Sequence, residues 1–79
     1  MISTQIIQYL WQNKDAIGFA KNGGYVKQML WSLAREGYNF TRQDACDSLN
    51  YLEQQGYLQT AGMFGSQQLY SMRKSKELK

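Results

Sequence analysis

The sequence predicts a small α+β domain in which three helices are followed by a C-terminal β-hairpin. Three observations carry that prediction. Val26, Met29, Leu30, Leu33 and Ala34 recur at helical spacing without a miss. Ala45, Leu49 and Leu52 form a second stripe that stops at Gly56. Beyond Gly56 the helical period disappears, and two short strand-compatible runs flank a glycine-containing reversal. The chain has 79 residues and no break in composition, so a single domain spanning residues 1–79 is expected. A chain this short buries only about 60–65% of the surface its unfolded form exposes. Its core must therefore be efficient, and 43% hydrophobic residues are enough to build one.

The first helix is expected over about residues 3–13. Ile6, Ile7, Leu10 and Trp11 share one face, with Ile2 a turn earlier, while Gln5, Gln8 and Gln12 fall elsewhere. Ser3 or Thr4 supplies an N-cap oxygen for an orphan backbone N–H. Asn13-Lys14-Asp15 reads as the exit. Residues 14–24 are expected to form a short extended piece or one loose turn, with Ile17 and Phe19 covering the core edge. Asn22-Gly23-Gly24 breaks the chain there, because Asn and Gly tolerate positive φ.

The second helix, about residues 25–36, ends at Gly37, a left-handed cap residue. After the turn Gly37-Tyr38-Asn39-Phe40, Thr41 followed three residues on by Asp44 resembles a capping box, with Asp in place of Glu or Gln. It announces a third helix over about 42–55. Two helices joined by so short a turn make a helix-turn-helix. Tyr57–Thr60 and Gln68–Met72 then read as strands around Ala61–Ser66, so a hairpin is expected over about 57–72, with a basic tail over 73–79.

Leu49, Leu52, Gly56 and the apolar pair Tyr57-Leu58 carry a resemblance. Leucine, two residues, leucine, three residues, glycine and an apolar pair is similar to the end of the recognition helix in the winged helix-turn-helix superfamily. The closest pattern is that of small bacterial and phage regulators and of the core of multiple-antibiotic-resistance-regulator-like domains. The match covers about residues 26–72. It implies a DNA-binding winged-helix protein, a small cytoplasmic transcriptional regulator whose partner is double-stranded DNA. In such proteins the third helix enters the major groove and the hairpin forms a wing.

Plotted at 100° per residue, Gln43, Asp47, Asn50 and Gln54 lie opposite the apolar stripe, with Thr41 and Arg42 at the helix entrance. Gln and Asn can donate and accept together at an adenine edge, and Arg42 can reach guanine or a phosphate. Thr41, Arg42, Gln43, Asn50 and Gln54 are accordingly candidate nucleic-acid contacts, with Arg73 and Lys74 as phosphate contacts after the wing. The charge distribution strains this reading. Residues 41–56 set Arg42 against Asp44, Asp47 and Glu53, a net −2, within a chain of net +3. Carboxylates brought toward phosphates are repulsive unless each finds a donor of its own.

The alternative keeps the fold and makes it a protein-interaction module with an acidic third helix and exposed aromatic anchors. Lys27, Trp31 and Arg35 recur at i, i+4, i+8 on a flank away from the Val26/Leu30/Leu33 stripe. Packing of Trp31 under the first helix or the 14–24 segment competes with that role, because small domains need their large apolar side chains inside. Met63 and Phe64, near the hairpin tip, are further partner-binding candidates, as a plug for a partner or for the second copy in a homodimer.

Catalysis is not expected. The chain has no His, so no Ser–His or Cys–His pair exists. Its single cysteine, Cys46, can form no internal disulfide, and no metal or cofactor site is anticipated. Met1–Leu10 lacks a basic start and is interrupted by Ser3, Thr4, Gln5 and Gln8, so no secretory signal or membrane association is anticipated either.

Overall fold

A computed structural model describes residues 1–15 and 17–73 of the chain. The elements run α1 (Thr4–Gln12), β1 (Ile17–Phe19), α2 (Gly24–Arg35), α3 (Arg42–Gln54), β2 (Leu58–Phe64) and β3 (Gln67–Met72). The strands form one antiparallel sheet in the order β1-β3-β2. Three helices with a three-stranded antiparallel sheet give the expected α+β class, in an arrangement compatible with a winged helix. The expected tail beyond Arg73, including Lys74, lies outside the described residues, as does the side chain of Ile17.

The two-stranded hairpin is corrected to a three-stranded sheet, because β1 pairs with β3 through Ile17↔Ser71 and Phe19↔Tyr70. A three-residue strand is too short for alternation to show in sequence. The register also shifts between Ile17 and Phe19, where Gly18 sits at φ +77°. A second irregularity lies in β2. Thr60 pairs with Tyr70 but Met63 with Gln68, so Ala61 and Gly62 together face Leu69 as a β-bulge. Gln68 Nε2 donates to the Gly62 carbonyl at 2.7 Å, satisfying an acceptor the bulge takes out of the ladder. The hairpin then continues to Phe64 and Gln67. Its turn is Gly65-Ser66, shorter than the six-residue reversal the glycines suggest.

The helix ends obey local rules. Ser3 caps α1, accepting from the Ile6 N–H at 3.4 Å. Thr41 and Asp44 complete a reciprocal capping box at 3.1 and 2.9 Å, so Asp does serve in the Glu position. Both α2 and α3 close with Schellman motifs. Tyr38 N–H donates to Leu33 O and Gly37 N–H to Ala34 O, and Tyr57 N–H donates to Leu52 O and Gly56 N–H to Glu53 O. In each, the left-handed residue is a glycine, at φ +96° and +80°.

The core joins Ile6 and Leu10 of α1, Phe19 of β1, Val26, Met29 and Leu33 of α2, Ala45, Leu49 and Leu52 of α3, and Leu58 and Met72 of the sheet. Of the expected stripes, Ile2 and Ala34 instead face solvent, and Leu30 is half-buried. Ser48 is fully buried, a position the apolar pattern conceals although its spacing fits. Its hydroxyl accepts from the Ser3 N–H and donates to the Asp44 carbonyl, both at 2.9 Å, tying the start of α1 to α3.

Leu49→Ala is expected to cost about 2–5 kcal/mol, read from urea unfolding followed by circular dichroism. Gly56→Ala, which places a side chain on a left-handed backbone at φ +80°, is expected to cost about 1–2 kcal/mol.

Candidate nucleic-acid interface

The capping box fixes where α3 begins, and Ala45, Leu49 and Leu52 fix which way it faces. Gln43, Asp47, Asn50 and Gln54 are thereby turned outward along one stripe. Asp47, Asn50 and Gln54 line a shallow groove of about 500 Å³ with Met1, Ile2 and Tyr51. Gln43 is exposed and donates from Nε2 to Asp47 Oδ1 at 2.8 Å. Four outward residues that the helical plot selects are therefore brought together.

Arg42 is exposed at the entrance of α3 and makes no ion pair among the described residues. Thr41 is exposed but committed to its cap. Arg73 follows β3, exposed, with its backbone N–H donating to the Tyr57 carbonyl at 2.8 Å, which anchors it beside the joint between α3 and β2.

All three carboxylates of α3 find donors within the chain. The α-ammonium of Met1 reaches Asp44 Oδ1 at 3.0 Å and Asp47 Oδ2 at 2.6 Å. On the other flank of the stripe, Lys21 Nζ donates to Glu53 Oε1 at 2.6 Å and to Asn50 Oδ1 at 2.9 Å. The same ammonium lies 4.8 Å from the centre of the Tyr70 ring. Residues 42–54 carry a net −2, and the two ammonium groups set against them bring the local charge to zero. Lys21 and Met1 are the members of this charge arrangement that sequence reading misses. Their partners lie 29 to 46 positions away, and no local pattern reports such contacts.

These bonds also order the titrations. The Thr41 N–H, and then the Met1 ammonium, hold the Asp44 carboxyl below the usual carboxylate range. The Met1 ammonium, and then Gln43, do the same for Asp47. Hydrogen bonds to Asp47 and Asp44 in turn raise the Met1 α-amino group above its ordinary value.

The partner-binding candidates on α2 and the hairpin are exposed. Trp31 is 61% exposed, 140° around α2 from Val26, and is not packed under α1 or the 14–24 segment. Arg35 Cζ lies 4.9 Å from its ring centre, and Lys27 is exposed one turn earlier. Met63 and Phe64 are 59% and 76% exposed, and they belong to β2 rather than to the turn. A separate apolar groove of about 490 Å³ between α1 and α3 is lined chiefly by Ile2, Ile7, Trp11, Tyr51 and Tyr57. No helix among the described residues is long and apolar enough to cross a membrane.

No protein-family model, curated protein or solved structure matches this chain.

The bridge from Met1 to the two aspartates has a signed pH dependence. Because Asp44 and Asp47 titrate lower when folded, their contribution is complete above the unfolded carboxylate value and is lost as pH falls below about 4. Because Met1 titrates higher when folded, its contribution is complete below the unfolded α-amino value and is lost as pH rises above about 8. Thermal midpoints of wild type and the Asp44→Asn/Asp47→Asn double variant are therefore expected to differ most near neutrality and to converge at acid pH. At alkaline pH they are expected to keep the smaller difference sustained by the Thr41 and Gln43 bonds to the two carboxylates.

Proposed function

We propose that the protein is a non-enzymatic winged-helix domain that binds double-stranded DNA through α3, as a small transcriptional regulator. The observation that carries this reading is the pairing of every α3 carboxylate with a donor from its own chain. An acidic helix repels phosphates, whereas this one offers a locally neutral face of amides with Arg42 unpaired at its entrance. Gln54 and Arg42 are outward and have no hydrogen-bonded partner among the described residues, while Gln43 and Asn50 each keep part of their bonding capacity. With the Thr41 and Asp44 N–H groups taken by the cap, the backbone N–H groups of Arg42 and Gln43 remain near the entrance, which favours a phosphate there. The element order, and the hairpin launched directly from α3, support the winged-helix assignment and a flanking role for Arg73. Lys74 belongs to the same proposed phosphate contact.

A second reading is favoured by the exposure of Trp31 beside Arg35 and of Phe64 at the far end of β2. Aromatic and arginine side chains of this kind anchor protein partners. Under that reading the fold is a docking module, or the exposed aromatics meet in a homodimer, and duplex DNA is not bound.

A salt titration of binding to random duplex DNA separates the two. DNA binding predicts measurable affinity at about 50 mM salt and a linear fall of log affinity with log salt. Arg42→Ala is expected to weaken binding uniformly across sequences and to reduce that slope by about one. Undetectable binding at low salt overturns the DNA reading and leaves the docking module.

A further inference from the structure

We infer that Lys21 sets the polarity of the hydrogen bond Asn50 offers to a base, making Asn50 a donor and steering it away from adenine. The inference rests on the duplex-reading role proposed for α3. Lys21 lies between β1 and α2, and its side chain is only 21% exposed, so the ammonium is held rather than free to roam. It donates to Asn50 Oδ1 and to Glu53 Oε1, with the Tyr70 ring on β3 completing its surroundings. Loop, helix and sheet thus meet at one charge.

An ammonium has donors and no acceptor. The Asn50 atom that faces it is therefore the carbonyl oxygen, and the orientation of the carboxamide follows from chemistry alone. The amide group of Asn50 contacts Cys46 Sγ at 3.6 Å, a weak acceptor that it gives up readily, while the oxygen keeps one further lone pair. The usual asparagine contact with adenine needs both ends of the carboxamide, the oxygen accepting from N6 and the amide donating to N7. Here one of the oxygen's two lone pairs is held by a charge-assisted bond, about twice as strong as a neutral one, which fixes the oxygen toward Lys21. Turning it toward adenine strips a partner from a largely covered ammonium. A readily released amide beside a held oxygen favours base edges that only accept, guanine through N7 and O6 or thymine through O4. Gln43 is oriented in the opposite sense by Asp47, but that pair is solvent-exposed and sits on a single helix. Lys21 acts from outside α3 and is a positioning residue for its reading face.

Selection of bound duplexes from a randomised pool by the full chain tests this. The base position whose preference disappears in Asn50→Ala is expected, in wild type, to favour guanine or thymine over adenine by about fivefold or more. Lys21→Met keeps the packed stem and removes the donors, and it is expected to move that one position toward adenine. Lys21→Arg is expected to retain the wild-type profile. A wild-type preference for adenine at the Asn50-dependent position overturns the inference, whether or not Lys21→Met folds. So does the absence of any Asn50-dependent position, or an unchanged profile in folded Lys21→Met. Failure of wild type to bind any duplex at low salt overturns the DNA reading itself, and the inference with it.

Discussion

The chain leaves α3 and enters β2 within three residues, with Leu52 held in the core on one side of the joint and Leu58 on the other. Gly56 allows this by adopting φ +80°, which costs an L side chain about 1–2 kcal/mol. The N–H groups of Gly56 and Tyr57 are meanwhile consumed in closing the helix. Because the joint has no slack, the orientation of α3 and the path of the hairpin are one constraint. Burying Ala45, Ser48, Leu49 and Leu52 turns Gln43, Asp47, Asn50 and Gln54 outward, and the hairpin follows where the helix end points. Ser48 reinforces the arrangement by binding the start of α1 to the same helix.

Charge on the outward face is set from elsewhere. The ammonium groups of Met1 and Lys21 approach α3 from opposite flanks and between them engage Asp44, Asp47 and Glu53. The pairs made by Met1 are open to solvent, where screening leaves an ion pair little effect on folding. Under the proposed DNA reading their effect on recognition is larger, because approach to a polyanion depends on local charge rather than on the total of the chain.

The exposed aromatics follow from helix geometry. Val26, Met29 and Leu33 already fill the face that α2 turns to the core, and Trp31 lies well around the cylinder from them. The need of a small domain for large apolar side chains cannot rotate one residue against its neighbours on a regular helix. Other aromatics do serve the interior, as in the stack of Phe19 on Tyr25 with ring centres 4.8 Å apart. Trp31 is instead capped by Arg35, which covers part of its ring without burying it.

Local chemistry made much of the fold legible. Helix starts at Ser3 and Thr41, stops at Gly37 and Gly56, and the stripes of α2 and α3 depend on contacts within a few residues, which spacing reports directly. The outward stripe of α3 was legible for the same reason, since it is the complement of the buried one. The third strand was not: β1 is three residues long, is interrupted by Gly18, and exists only because β3, more than fifty residues later, offers it an edge. Nor were the partners of Asp47, Asn50 and Glu53, or the exposure of Trp31. Those depend on which distant segments the closed core brings alongside one another, and a one-dimensional pattern holds no information about neighbours made by folding.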